Sequence, residues 1–156
     1  MAKMLGKDST CSIARSLEAV GDTWTLLIIR EAILTGATRF REFRDALGVA
    51  PNILTKRLEK IVADGLMERR TYQDPGERAR DEYVLTESGR ALSLVIAALA
   101  DWGRTYRPHP DGTSPRFATE EGGAVARLGF ATSDGTSAPP TKLVAQRTPD
   151  AQLAAS

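Results

Sequence analysis

The stretch from Phe40 to Leu85 constrains this chain more than any other: a short helical pattern closes on Leu47-Gly48-Val49, a proline-started helix follows at once, and two strand-like runs flank an arginine-rich turn. A tight glycine turn sets two helices across each other, and the basic hairpin that follows adds an arm beside the second of them. Chains arranged in this way can lay one helix in a DNA groove while the arm grips the backbone.

The residues support each part of that reading. Thr38-Arg39-Phe40 reads as a short strand, and Phe43, Ala46 and Leu47 give one face of the helix before Gly48. Pro51 suits a first helical turn because it lacks a donor that would go unsatisfied there. Leu54, Leu58 and Ile61 then form an i, i+4, i+7 stripe, Gly65 stands where a left-handed cap is wanted, and the opposite face displays Asn52, Thr55, Lys56, Glu59 and Lys60. Strands are expected over Met67 to Tyr72 and Asp81 to Leu85, around Asp74-Pro75-Gly76 with Arg78 and Arg80 near the tip.

Helices are also expected on either side of this unit. Ile13, Leu17 and Val20 predict one over residues 12 to 20, broken by Gly21-Asp22-Thr23. From Trp24 to Leu34 the chain is apolar almost all round, the mark of a central buried helix. Thr86 can cap a long helix whose Leu92, Val95, Ile96, Leu99 and Trp102 exceed what a small domain buries on its last helix, so a partner helix is expected. The fold class is therefore mainly α with a small β-hairpin wing (α+β), a winged helix-turn-helix.

Beyond Tyr106 lie six of the eight prolines, which places a boundary there: residues 1–106 as the winged helix and dimerisation domain, 107–156 as a linker with a small C-terminal β extension. In that extension Ala126, Leu128 and Phe130 alternate ahead of Ser133-Asp134-Gly135, Leu143-Val144-Ala145 is read as a returning strand, and the residues from Thr148 as a loose tail.

Formal charge is only +1, a weak match for a polyanion partner, yet residues 39–80 hold ten Lys and Arg against seven Asp and Glu, a local excess of +3. No run is long and apolar enough to cross a bilayer, and Met1 to Lys7 lacks the apolar core of a secretion signal, so a cytoplasmic protein with no membrane partner is expected. One cysteine, Cys11, forms no intrachain disulfide, and with His109 as the single imidazole no common zinc set can be assembled. No phosphate-cradling glycine loop, nucleophile elbow or zinc-binding pair occurs, so neither catalysis nor a cofactor is expected.

Several motifs together resemble the HxlR type of MarR-like bacterial transcriptional regulator. They are Cys11 with Ile13 and Leu17, Gly21-Asp22-x-Trp24-Thr25-Leu26-Leu27-Ile28-x-Arg30, Arg39-Phe40-x-Glu42-Phe43, Leu54-Thr55-x-Arg57-Leu58 with Asp64-Gly65-Leu66, and Glu82-Tyr83-x-Leu85-Thr86-x-x-Gly89-Arg90-x-Leu92. The resemblance implies a winged helix homodimer that regulates transcription. Two departures stand out: Ala50 occupies the slot where such proteins usually carry a capping Ser or Thr, and Pro75-Gly76-Glu77-Arg78-Ala79-Arg80-Asp81 replaces the usual Pro-Pro-Arg wing tip.

The expected DNA-contacting set is Asn52, Thr55, Lys56, Arg57 and Lys60 on the helix 51–64, with Arg78 and Arg80 on the wing 74–80. Asn pairs with adenine, Lys with guanine acceptors, Thr touches a thymine methyl, and wing arginines reach flanking backbone or minor groove. Arg57 has a structural alternative, an ion pair with Glu42 or a neighbour of Glu59, and Arg78 and Arg80 have one with Glu77 or Asp81. Ile13, Leu17, Leu92, Val95, Ile96 and Leu99 are the expected dimer contacts. Cys11 is the candidate sensor for an oxidant, since helix N-termini favour the thiolate form of a cysteine, against a bland reading as a small buried apolar residue. Trp24, Trp102, Phe40 and Phe43 either pack the core or line a pocket for a small-molecule effector. The rival to a double-stranded DNA partner is a ligand-binding or protein-interaction module on a winged helix scaffold.

Overall fold

A computed structural model describes residues 9–113, 115–118, 123 and 128–139. The chain divides into two compact units, Met1–Pro115 and Arg116–Ser156.

The first unit follows the order α1 (Ser12–Val20), α2 (Thr23–Thr35), α3 (Phe40–Leu47), α4 (Pro51–Ala63), β1 (Met67–Tyr72), β2 (Arg80–Leu85), α5 (Glu87–Ala91) and α6 (Ser93–Tyr106). Its hub is α2, which touches α1, α3, α4, α6 and β2. Thr25, Ile28, Ile29 and Ala32 are buried on it, and the Thr25 hydroxyl finds no hydrogen-bond partner among the described residues. Asp22 starts this helix as N-cap, its carboxylate accepting from the backbone N–H groups of Trp24 (3.0 Å) and Thr25 (3.2 Å).

The two crossed helices are set by their ends. Glu42, in the first turn of α3, accepts the backbone N–H groups of Thr38 and Arg39, both at 2.8 Å. These donors, Arg39 first and then Thr38, hold its carboxyl below the usual carboxylate range. Gly48 closes α3 at φ +61°, a left-handed turn that lets the chain reverse into α4 within three residues. Leu54, Leu58 and Ile61 of α4 are completely buried, each worth roughly 1.5–3 kcal/mol relative to exposure. At the far end Leu66 N–H bonds Ile61 O and Gly65 N–H bonds Val62 O, both at 3.0 Å, with Gly65 at φ +71°. This is the Schellman arrangement.

The wing is an antiparallel pair in register from Met67↔Leu85 to Tyr72↔Arg80. The strand expected at Thr38-Arg39-Phe40 is reduced to one bridge, Arg39↔Glu82, with the Tyr83 N–H bonded to Thr38 O at 2.7 Å. Phe40 already belongs to α3, because Glu42 draws the backbone into a helical turn at that point. Thr86 does cap a helix, accepting from Gly89 N–H at 3.1 Å. The expected single long helix is interrupted at Leu92, whose N–H bonds Gly89 O in a tighter i−3 pattern before α6 begins. Among the described residues no helix is long and apolar enough to cross a membrane.

In the second unit β3 (Phe130–Ala131) pairs antiparallel with β4 (Ser137–Ala138). The expected Ser133-Asp134-Gly135 turn joins them, with Asp134 accepting from the Thr132 hydroxyl and the Thr136 N–H. The returning strand therefore starts at Ser137. Ala126, Leu143-Val144-Ala145 and the tail from Thr148 lie outside the described residues.

Candidate nucleic-acid interface

Helix α4 turns its apolar stripe inward, so its polar stripe faces out. Asn52, Thr55, Lys56 and Glu59 are exposed. The Thr55 hydroxyl donates back to Pro51 O at 2.9 Å, which leaves its methyl group and remaining lone pair for a partner. Lys56 makes no ion pair or hydrogen bond among the described residues. Ala50 supplies no side-chain cap; its carbonyl alone receives the N–H groups of Ile53 and Leu54 at 3.0 Å.

Two other expected contacts are engaged inside the protomer. Arg57 pairs with Asp22 at 3.0 Å, so its partner is the N-cap of α2 and neither Glu42 nor a neighbour of Glu59. Lys60 pairs with Asp64 at 2.6 Å and also donates to Glu18 O at 3.2 Å. Both side chains brace α4 from the side: Arg57 against the start of α2, Lys60 against the end of α1.

On the wing, Arg78 is exposed and forms no ion pair among the described residues, whereas Arg80 pairs with Glu77 at 3.1 Å. The strands add Arg69, paired with Asp81 at 3.8 Å, and Arg70, paired with Glu68 at 3.0 Å. A residue that the sequence reading passes over is Arg39. Its guanidinium stacks over the Tyr72 ring at 4.3 Å and pairs with Asp74 at 3.3 Å, tying the start of α3 to the wing. Arg39 and Asp74 stand 35 positions apart, so no local pattern announces the contact.

The expected dimer residues separate into two groups. Ile13, Leu17, Val95 and Leu99 are exposed, Ile13 as much as 69%, and Trp102 and Tyr106 extend the α6 stripe with ring centroids 5.6 Å apart. Ile96, in contrast, is only 5% exposed and Leu92 packs against the core, so these two face their own protomer. Leu92 stands at the junction before α6, and along α6 Ile96 lies about 100° round the axis from Val95, which turns it toward its own protomer. Among the aromatic candidates Phe43 is completely buried, Trp24 packs partly against the core, and Phe40 lines a cleft beside the wing. Cys11 is exposed at the N-cap of α1, against the buried alternative.

A family model described as an HxlR-like helix-turn-helix matches residues 19–111, which takes in α2 through α6 and the wing. The chain belongs to the HxlR-like helix-turn-helix family. An uncharacterised HTH-type transcriptional regulator of Mycobacterium tuberculosis is 45% identical to this HxlR-like chain over 101 residues, 65% of this chain and 62% of that protein. The chain thus spans less than two thirds of the length of this mycobacterial relative. The crystal structure of PA1607, described as a candidate transcription factor, superposes with a TM-score of 0.78 at 36% identity, covering 91% of this chain and 98% of that one. The redox regulator HypR in its reduced form matches 62% of this chain and 94% of its own, with a TM-score of 0.54 at 28% identity.

Proposed function

We propose that this HxlR-like chain is a sequence-specific DNA-binding transcriptional regulator, acting in the cytoplasm as a homodimer and repressing by occupying a pseudo-palindromic operator. The observation that carries the reading is the outward polar face of α4, with Asn52, Thr55 and Lys56 exposed beside an arginine-tipped wing. Asn52 and Lys56 take base edges in the major groove, and Arg78 and Arg80 take flanking phosphates or the minor groove. Arg57 and Lys60 act chiefly by holding α4 at its angle. Ile13, Leu17, Val95 and Leu99 supply the apolar face against a second copy, which places two recognition helices about 34 Å apart. Exposure of Cys11 supports an oxidant effector, acting through a mixed disulfide or a bridge to the same residue of a second copy.

The test is a gel shift with the DNA upstream of the gene. Lys56→Ala with Arg80→Ala is expected to weaken binding and to flatten its salt dependence, because each replacement removes a cation from the interface. Asn52→Ala is expected to relax base preference instead. No shift at low salt would favour the rival module that does not read DNA; a shift unaltered by the double replacement would overturn the residue assignment.

A further inference from the structure

The wing is a ribbon of two strands, an element only marginally stable without support from elsewhere. Its base is anchored by the buried Met67, but β1 is then exposed from Glu68 to Thr71, and Tyr72 lies about 17 Å beyond Met67 along the strand. Past Tyr72 the loop is held by its own bonds, the Glu77 N–H on Asp74 O at 3.0 Å and the Gln73 side-chain amide on Glu77 O at 2.9 Å. Among the described residues, one side chain from outside the hairpin makes a polar contact with this loop, and it is Arg39. Its guanidinium lies over the Tyr72 ring at 4.3 Å and meets both carboxylate oxygens of Asp74, Nη1 to Oδ2 at 3.3 Å and Nη2 to Oδ1 at 3.4 Å. A planar fork can stack and pair at once, which an ammonium cannot. The root of this clamp is fixed: Arg39 N–H donates to the Glu42 carboxylate at 2.8 Å, and α3 is seated by the completely buried Phe43.

We propose that Arg39 is a positioning residue for DNA binding: it touches no nucleic acid itself, and it holds the wing tip, with Arg78 and Arg80, at a set distance from α4. The proposal rests on the DNA-binding reading given above. An arginine on a swinging ribbon must be ordered when the complex forms, and the clamp removes that cost beforehand. A direct phosphate contact by Arg39 makes the opposite forecast for Asp74. If Arg39 held a phosphate, removing the Asp74 carboxylate would free it, and Asp74→Ala would help binding more when Arg39 is present than when it is absent. If Arg39 positions the wing, Asp74→Ala breaks the clamp, and the replacement is less favourable when Arg39 is present.

Two measurements on the full chain test this: affinity for the DNA upstream of the gene, and hydrogen exchange of the free protein. Arg39→Ala is expected to weaken DNA binding roughly threefold to thirtyfold, the range set by one exposed ion pair and one cation–ring contact. Arg39→Lys, which keeps the charge but loses the plane and the fork, is expected to fall between. Arg78→Ala is expected to cost less in the Arg39→Ala background than in the parent, because an unheld arm has already lost part of that contact. Without DNA, the amides of residues 72–80 are expected to exchange faster in Arg39→Ala while those of α2 stay as in the parent. Affinity within about twofold of the parent, Asp74→Ala helping the parent more than the Arg39→Ala variant, wing exchange unaltered, or exchange raised in α2 as much as in the wing would each overturn the proposal. A parent chain that shifts no DNA overturns the DNA-binding reading and this one together; a parent that binds alongside an Arg39→Ala variant that binds equally well overturns this one alone.

Discussion

Replacing Asp22 by asparagine and by alanine separates two jobs done by one carboxylate. One oxygen caps α2 through Trp24 and Thr25, and the other holds Arg57 of α4 at 3.0 Å. Asparagine caps as well as aspartate, so Asp22→Asn removes the ion pair and the favourable charge at the helix start while keeping the cap. With both side chains about a third exposed, 30% and 33%, solvent screens the pair, and its share is about 0.2–1 kcal/mol. Asp22→Ala loses the cap as well, about 1 kcal/mol more. Urea denaturation reads the difference: with a slope of about 1–3 kcal/mol per molar, the alanine variant is expected to unfold roughly 0.5–2 M earlier than the parent. A double-mutant cycle of Asp22→Asn with Arg57→Met, which keeps the aliphatic stem, isolates the pair from the dipole effect, and a coupling of about 0.5 kcal/mol is expected. Zero coupling would refute the picture of Arg57 as a brace between α2 and α4, and Asp22→Asn costing as much as Asp22→Ala would refute the capping role of the carboxylate.

Two further outcomes follow from close contacts elsewhere. At Gly89 an added Cβ would lie 2.0 Å from the Leu66 carbonyl oxygen and 3.0 Å from the Leu85 side chain, and a backbone oxygen cannot rotate aside. Gly89→Ala is therefore expected to cost about 1–3 kcal/mol and to lower Tm by several degrees, and a Tm within about one degree of the parent would refute the contact. For Glu42, whose folded-state pKa is lowered by the N–H groups of Arg39 and Thr38, the stabilisation is present above its unfolded pKa and is lost as pH falls through the folded value. Glu42→Gln is expected to be less stable than the parent near neutral pH, with the gap closing as pH drops below about 4.3; a gap that persists or widens in acid would contradict this.

How much could be read from residues alone varies along the chain. The helix 51–63 was legible because its signals are local and agree: a proline at the first turn, leucines at helical spacing, and a glycine placed for the Schellman close. The two wing strands were legible for the same reason, since they and their turn lie within nineteen residues, Met67 to Leu85, and only the start of the second, at Arg80 and not Asp81, differs. Side-chain commitments were not. Lys56 and Lys60 are the same residue type one turn apart on one helix, yet one is exposed and unpaired among the described residues while the other is held by Asp64 and the carbonyl of Glu18. Glu18 lies 42 positions from Lys60 and carries no mark of that contact in the sequence. Leu92 and Ile96 read as part of an apolar surplus; only the packing of α6 against α2 separates them from Val95 and Leu99.

By itself the sequence determined the order of elements, the turn between α3 and α4, and the outward place of Asn52, Thr55, Lys56 and Glu59 on α4, because helical and strand periods and caps depend on neighbours a few positions away. The tertiary structure decided which of the basic residues stay uncommitted, and it drew Arg39, Tyr72 and Asp74 into a tie between α3 and the wing. Those outcomes depend on distances between residues far apart in the chain, and such distances exist only once the core around Ile28, Phe43 and Leu58 has closed.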